Sequence, residues 1–301
     1  MKIAVAGGTG FLGRHITQTL VAGGHEVSVL TRDPDKMTAI PQLAGCAGER
    51  VDVTEPSSLF GKLTGFDAVV MAVQLPNYPV EQPRKGLTFD RYDRQGTEHL
   101  LREATNSGVR RFAYISGAGA DPASEKTWYR AKGFAEVAIR RSGISHFILR
   151  PSWAYGPEDK ALNKFVAIAR LSPIVPKPGV RPQRIQPVFV EDIAKAVCRA
   201  FEVEAAWGET FEIGGPDVMT MDEVIRTLLE VMGKKRFVLP VPAPLMKVAT
   251  APLLLLPKPP LTPAAVDFAT QDGVVDARSL ETMLDVHPIG LREGLERYIS
   301  A

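Results

Sequence analysis

One short segment near the start limits what this chain can fold into more than any other. Lys2-Ile3-Ala4-Val5-Ala6 reads as a buried strand, and Gly7-Gly8-Thr9-Gly10-Phe11-Leu12-Gly13 follows it directly. An amphipathic helical pattern, Phe11–Ala22, opens inside that same segment. Glycines so spaced between a strand and a helix do separate jobs. Gly7 permits the tight turn, Gly10 lets backbone approach a pyrophosphate, and Gly13 allows the helix to pack close on the strand. The first helical N–H groups and the positive end of the helix dipole then point at the phosphates. The segment reads as a dinucleotide cradle, with Thr9, Phe11, Leu12 and Arg14 as its remaining contacts.

The pattern around it agrees. Up to Arg150, short apolar runs alternate with amphipathic stretches, as in successive βαβ units. Strands are predicted at Lys2–Ala6, Glu26–Thr31, Arg50–Val53, Ala68–Val73, Arg111–Ser116 and His146–Leu149. Helices are predicted at Phe11–Ala22, Ser57–Leu63, Arg91–Asn106 and Trp128–Arg141, with Gly23-Gly24 and Gly143 as caps of the first and last. Six such strands predict an α/β fold, a doubly wound parallel sheet of the Rossmann type. Its ligand should lie across the carboxyl ends of the strands.

After Arg150 the texture changes. The proline-rich stretch from Pro173 to Pro182 reads as a loop. A strand at Ile185–Val190, a helix at Glu191–Glu202 and a strand at Thr210–Ile213 follow. Helices are then predicted at Met221–Met232, Ala243–Leu256, Thr262–Ala269 and Leu291–Ser300. The chain thus divides into a nucleotide-binding domain, 1–150, and a smaller, mostly helical lobe, 151–301, some of whose segments return to the sheet.

The end of the second strand selects the cofactor. An NAD-selective site usually carries an acidic residue there, on the ribose 2′-hydroxyl. Here Arg32 comes first, and a guanidinium suits a 2′-phosphate. NADP(H) is the expected cofactor, and Asp33 leaves NAD open. Asp52 and Val53 fall at the adenine edge, while Ala72, Val73 and Gln74 line the cofactor's middle.

The remaining composition removes other classes. With 36 basic and 34 acidic residues interspersed, no nucleic-acid surface is expected. Brief basic runs such as Lys234-Lys235-Arg236 read as solvated faces. Two isolated cysteines, Cys46 and Cys198, exclude a disulfide framework or cysteine zinc site, and five scattered histidines argue against a metal. The apolar stretch Ala249–Pro257 falls short of the roughly 20 residues a spanning helix needs. A strand that begins at Lys2 leaves no room for a signal peptide, and a cytoplasmic protein is expected.

On these residues the chain resembles the atypical short-chain dehydrogenase/reductases, which are epimerase/dehydratase-like. The nearest group within them contains the nucleotide-binding accessory subunit of mitochondrial complex I and its bacterial relatives. The resemblance spans nearly the whole chain. Gly7–Gly13, Tyr114-Ile115-Ser116, Lys132 with Glu136, and Leu149-Arg150-Pro151-Ser152 carry it first. Ala154-Tyr155-Gly156-Pro157, the segment Pro187–Ala194 and the tail from Thr210 extend it.

The resemblance implies that Lys132 binds the nicotinamide ribose, with Ser116 among the cofactor contacts and Pro151 and Ser152 beside the nicotinamide. Trp153, Tyr155, Gln186 and Phe189 would face the substrate. Active members also carry a tyrosine four residues before the lysine, whose phenol protonates the substrate oxygen. That position holds Trp128, an indole that cannot act as an acid. Tyr129, three residues before Lys132, lies on the lysine's opposite flank but the same broad helix face, and is the alternative donor. The family's active hydroxyl falls on Ala118, and a further polar position on Asp93.

Three functions follow as expectations. One is an NADP(H)-dependent oxidoreductase acting on an apolar or amphipathic small molecule, with Lys132 and Tyr129 as catalytic candidates. Another is a binding protein that holds NADP(H) and reports its state to a protein partner. The third is a nucleotide-sugar epimerase or dehydratase.

Overall fold

The computed structural model describes residues 1–76, 78–252 and 262–299. Along the chain come β1 (Lys2–Ala6), α1 (Phe11–Ala22), β2 (Glu26–Thr31), β3 (Ala47–Arg50) and β4 (Ala68–Met71). Then follow α2 (Gly96–Asn106), β5 (Arg111–Ile115), α3 (Thr127–Arg141), β6 (Ser145–Pro151), β7 (Trp153–Tyr155) and α4 (Leu162–Leu171). The middle adds β8 (Ile174–Pro178), β9 (Arg184–Ile185), β10 (Pro187–Phe189), α5 (Val190–Glu202), β11 (Thr210–Ile213) and β12 (Met219–Thr220). Last are α6 (Met221–Val231), β13 (Phe237–Val241), α7 (Ala243–Thr250), α8 (Pro263–Ala269), α9 (Arg278–Leu284) and α10 (Leu291–Glu296).

These elements form two compact units. The first takes in Met1–Pro151, Val190–Ile213 and Asp276–His287; the second takes in Ser152–Phe189, Gly214–Val275 and Pro288–Ala301. In the first unit seven strands form one sheet in the order β11-β6-β5-β4-β1-β2-β3. Every neighbouring pair is parallel. All four residues of β4 are buried, as expected where helices cover both faces of a parallel sheet. Ala4, Ala6, Val69, Met71, Phe112 and Tyr114 share one core cluster with Leu100 and Leu101 of α2 and Ala135 and Ile139 of α3. The order of strands reverses between β1 and β4, so the cradle of Gly7–Gly13 opens at the switch point.

The fold class is that read from the sequence, with a seventh strand. β11 pairs with β6 in the register Thr210 to Ile148 through Ile213 to Pro151. The chain therefore leaves the sheet at Pro151, re-enters the first unit at Val190 and rejoins the sheet at Thr210.

Several boundaries differ for local reasons. The strand expected at Arg50–Val53 ends at Arg50, because the Asp52 carboxylate turns back to accept the Thr54 amide at 2.9 Å. The helix expected at Ser57–Leu63 is only a 3-10 turn, Pro56–Leu59, with Gly61 at φ +70° ending it. Asp90–Gln95, ahead of α2, is wound as a wider π-turn that carries Tyr92 and Asp93 inward. The proline-rich stretch is not all loop. Ile174–Pro178 forms β8, paired in parallel with β13, which a two-stranded sheet permits because each proline amide can face an edge. The end of the helix expected at Ala243–Leu256 lies outside the described residues.

In the second unit β7 pairs with β10 and β9 with β12, while α10 packs against α6. Among the described residues no helix is long and apolar enough to cross a membrane.

Candidate functional site

The glycine cradle is built by near contact. Gly7 sits at φ +83°, and a Cβ there would lie 2.7 Å from the Ala72 carbonyl and 2.8 Å from the Val73 amide. A Cβ on Gly13 would lie 2.1 Å from the Gly7 oxygen. Both positions therefore exclude any side chain, and they clamp the loop between the ends of β1 and β4 and the start of α1. Gly10 caps α1 with no side chain and no acidic residue in the first turn, so the helix's first N–H groups remain directed outward. Arg14 folds back onto the loop, donating to the carbonyls of Thr9 at 3.0 Å and Gly10 at 3.2 Å. Thr9, Phe11 and Leu12 are half-buried around it. A diphosphate fits this arrangement: glycine backbone at close approach, a helix N-terminus, and one cation.

Several charged side chains gather at the end of β2. Arg32 is exposed, its guanidinium 6.0 Å from the centre of the Tyr92 ring. The β2–β3 register sets Thr31 opposite Arg50, whose guanidinium donates to the Arg32 carbonyl at 3.0 Å. Asp33 does not face this pair alone. Lys36 holds its carboxylate at 2.9 Å, and that hydrogen bond keeps the carboxyl below the ordinary aspartate range. Asp52 is occupied by Thr54, and the Val53 carbonyl meets the His99 ring nitrogen Nδ1 at 2.9 Å. Ala72 and Val73 line the back of the glycine loop, with Gln74 exposed beyond them. Sequence reasoning missed Arg50, because its role depends on where β3 ends.

Lys132 lies deep in the first unit, 3% exposed. Its ammonium stands 3.2 Å from Asp93, which is fully buried, donates to the Ile115 carbonyl at 3.2 Å, and lies 5.2 Å from the Tyr114 ring centre. Asp93 also accepts the Leu75 amide at 3.3 Å. Burial pushes the Asp93 carboxyl up, against the opposing pull of Lys132. The Trp128 indole lies on Gly117, where a Cβ would come within 2.7 Å of it, and the Tyr129 ring lies on Gly119 at 2.9 Å by the same measure. Burial raises the Tyr129 phenol, which makes it a weaker acid. Ala118 between those glycines donates its amide to Pro151 at 2.9 Å.

Ser116 is buried, and its hydroxyl donates to Glu136 at 2.6 Å. Glu136 also accepts from Arg140 and twice from Arg150, at 2.9 and 2.6 Å. Burial would raise its carboxyl, but the bonds from Arg150 and Ser116 outweigh it and hold it low. The motif residues Ser116, Glu136 and Arg150 are thus one polar knot tying β5, α3 and β6 together.

The residues expected beside the substrate belong to the second unit. Trp153 is half-buried. Tyr155 and Phe189 are packed inside, ring centres 5.4 Å apart, with Tyr155 against Gly294 and Phe189 stacked on Tyr298. Gln186 is engaged at both ends, donating to the Gly215 carbonyl at 2.7 Å and accepting the Val275 amide at 3.1 Å. Ser152 donates to the Gln186 carbonyl.

The comparisons with known proteins agree with this geometry. The profile of the NAD(P)H-binding family matches residues 7–174. The Arabidopsis thaliana NADH dehydrogenase [ubiquinone] 1 alpha subcomplex subunit 9, mitochondrial, is 28% identical over 254 residues, 82% of this chain and 62% of that protein. The chain spans about three-fifths of the length of that relative. Ceramide reductase of Caulobacter vibrioides is 28% identical over 80% of this chain and 74% of its own. The solved UDP-glucose 4-epimerase of Thermotoga maritima has the same fold, with a TM-score of 0.77, 20% identity and coverage of 99% and 98%.

Proposed function

This chain belongs to the NAD(P)H-binding family, and from that premise we propose that it is an oxidoreductase-like protein selective for NADP(H). The observation that carries the reading is the cation pair at the ends of β2 and β3. Arg32 and Arg50 lie at adjoining strand ends, Arg50 donating to the Arg32 carbonyl, and the Asp33 carboxylate is paired with Lys36. A ribose 2′-phosphate answers that charge; a 2′-hydroxyl does not. When bound, the cofactor supplies hydride. The chain's own part is to hold the diphosphate at Gly7–Gly13 and to keep Lys132 in its buried pairing with Asp93 at the end of β5.

The substrate in this reading is apolar or amphipathic, in keeping with a relative named ceramide reductase. Trp153 is assigned to its side of the site, with Tyr155, Gln186 and Phe189 shaping that side from within the second unit. A specific observation favours a second reading, an accessory protein that binds NADP(H) without family-type turnover. Trp128 fills the proton donor's position against Gly117, and the Lys132 ammonium faces Asp93. A relative that is a subunit of NADH dehydrogenase by name fits a protein partner.

Titration with NADPH and NADH, followed by tryptophan fluorescence, tests the cofactor. Charge-assisted contacts contribute about 1.5–3 kcal/mol, so NADPH should bind at least about tenfold tighter. Arg32→Ala and Arg50→Ala should each erode that preference and leave NADH affinity unchanged. Equal affinities in the unaltered protein would overturn the reading.

A further inference from the structure

The charge balance of the whole chain hides an asymmetry. Residues 160–190 contain no Asp or Glu but carry Lys160, Lys164, Arg170, Lys177, Arg181 and Arg184. Residues 231–266 also contain none, and carry Lys234, Lys235, Arg236, Lys247 and Lys258. The fold joins these two stretches, because β8 lies in the first, β13 in the second, and the two strands pair. Arg236 ties them again, donating to the Ala169 carbonyl near the end of α4 at 2.8 Å.

The joined surface is apolar where a small sheet should be polar. The register pairs Ile174 with Phe237 and Pro176 with Leu239, so these four side chains share one face, while Val175 and Lys177 turn to the buried side. Phe237 is 64% exposed, Leu239 41% and Ile174 44%, and Leu171 at the end of α4 is 90% exposed. Just after β13, α7 buries Met246 and Thr250 and turns Leu245 and Val248 outward, 61% and 71% exposed. Exposed Lys234, Lys235 and Arg170 flank the apolar side chains.

We propose that this face of the second unit docks on a bilayer rich in anionic phospholipid. Apolar side chains that enter the headgroup boundary, flanked by the exposed cations of Arg170, Lys234 and Lys235, combine the two attractions that hold a protein on such a surface. Lys247 of α7 is paired with Asp267. Leu171 and Phe237 are largely exposed, and a bilayer requires no shape complement.

Sedimentation of the full chain with vesicles is the test. One set is phosphatidylcholine alone; the other contains about one-third phosphatidylglycerol. Binding should appear on the anionic set and weaken in high salt. Lys234→Gln and Lys235→Gln should each weaken it about fivefold. The pair Leu171→Ser and Phe237→Ser should weaken it about tenfold or more on the anionic set. Circular dichroism and thermal unfolding verify that the variants are folded. Failure to bind either set, or binding that neither variant pair changes, overturns the proposal. So does a dimer of the unaltered chain that dissociates in the serine variants, because a second copy would then be what covers the face.

Discussion

The two strand-to-helix crossings β1–α1 and β5–α3 are built on the same plan and finished in opposite ways. Each leaves a parallel strand through a glycine-bearing loop and enters a helix. At the first, Gly7 and Gly13 are pressed by backbone alone, and Arg14 folds back onto the loop. At the second, Gly117 and Gly119 are covered by the rings of Trp128 and Tyr129, and the helix's lysine is sealed against Asp93. The glycine crossing follows the general pattern of a dinucleotide loop. The crossing that would do proton chemistry is packed as a core. One fold can therefore leave one strand-to-helix loop open to backbone approach and close another with aromatic rings.

The sharpest way to break this contrast is at the buried ion pair. Lys132→Met leaves Asp93 buried without a countercharge and should cost about 3–5 kcal/mol in urea denaturation. Adding Asp93→Leu should return most of that loss, because replacing both partners by apolar groups is often near neutral. A double variant as unstable as the single one would show that the pair does not act as a core element.

Glu136 gives the next largest effect. Glu136→Gln weakens the bonds from Ser116, Arg140 and Arg150, and about 1.5–3 kcal/mol should be lost at neutral pH. The sign with pH follows from the depressed folded value. The carboxylate's contribution is complete above the unfolded glutamate value, about 4.3, and disappears as pH falls through the lower folded value. Wild type and variant should therefore converge in acid; a constant gap across the range would contradict this.

Gly117→Ala tests the packed loop directly. The added methyl would meet the indole at 2.7 Å, and overpacking of this kind costs about 1–3 kcal/mol. Combining it with Trp128→Phe, a smaller ring, should relieve the strain. If the single variant unfolds like wild type, the indole is not held on Gly117.

The smallest effect is expected at Tyr129→Phe. Its ring lies on Gly119 and burial raises its phenol, so any measurable turnover should change little. A fall of about 10²-fold or more with NADPH binding intact would make Tyr129 the proton donor and reverse the comparison.

Much of the first crossing was legible in the sequence. Glycine spacing, strand alternation and the helix caps are local, so β1, α1 and β2 fall at the residues predicted from them. Arg32 was legible for the same reason, one residue beyond a strand whose end the pattern marks. Trp128 and Ala118 could also be read as substitutions, since they stand at fixed offsets from Lys132 and Ser116.

What the residues near each other in the chain decide, the sequence by itself determined: a glycine loop between strand and helix, a parallel sheet and an indole four residues before Lys132. Contacts between distant segments were decided only by the tertiary structure. Arg50 joins Arg32 through strand register, Asp93 reaches Lys132 through the widened turn before α2, and Ser116, Glu136 and Arg150 meet across three elements. The same holds for β8 and β13, whose pairing assembles one basic, apolar face from two stretches about sixty residues apart. Register and burial are properties of packing, and no local pattern encodes which partner a side chain will meet once the sheet has formed.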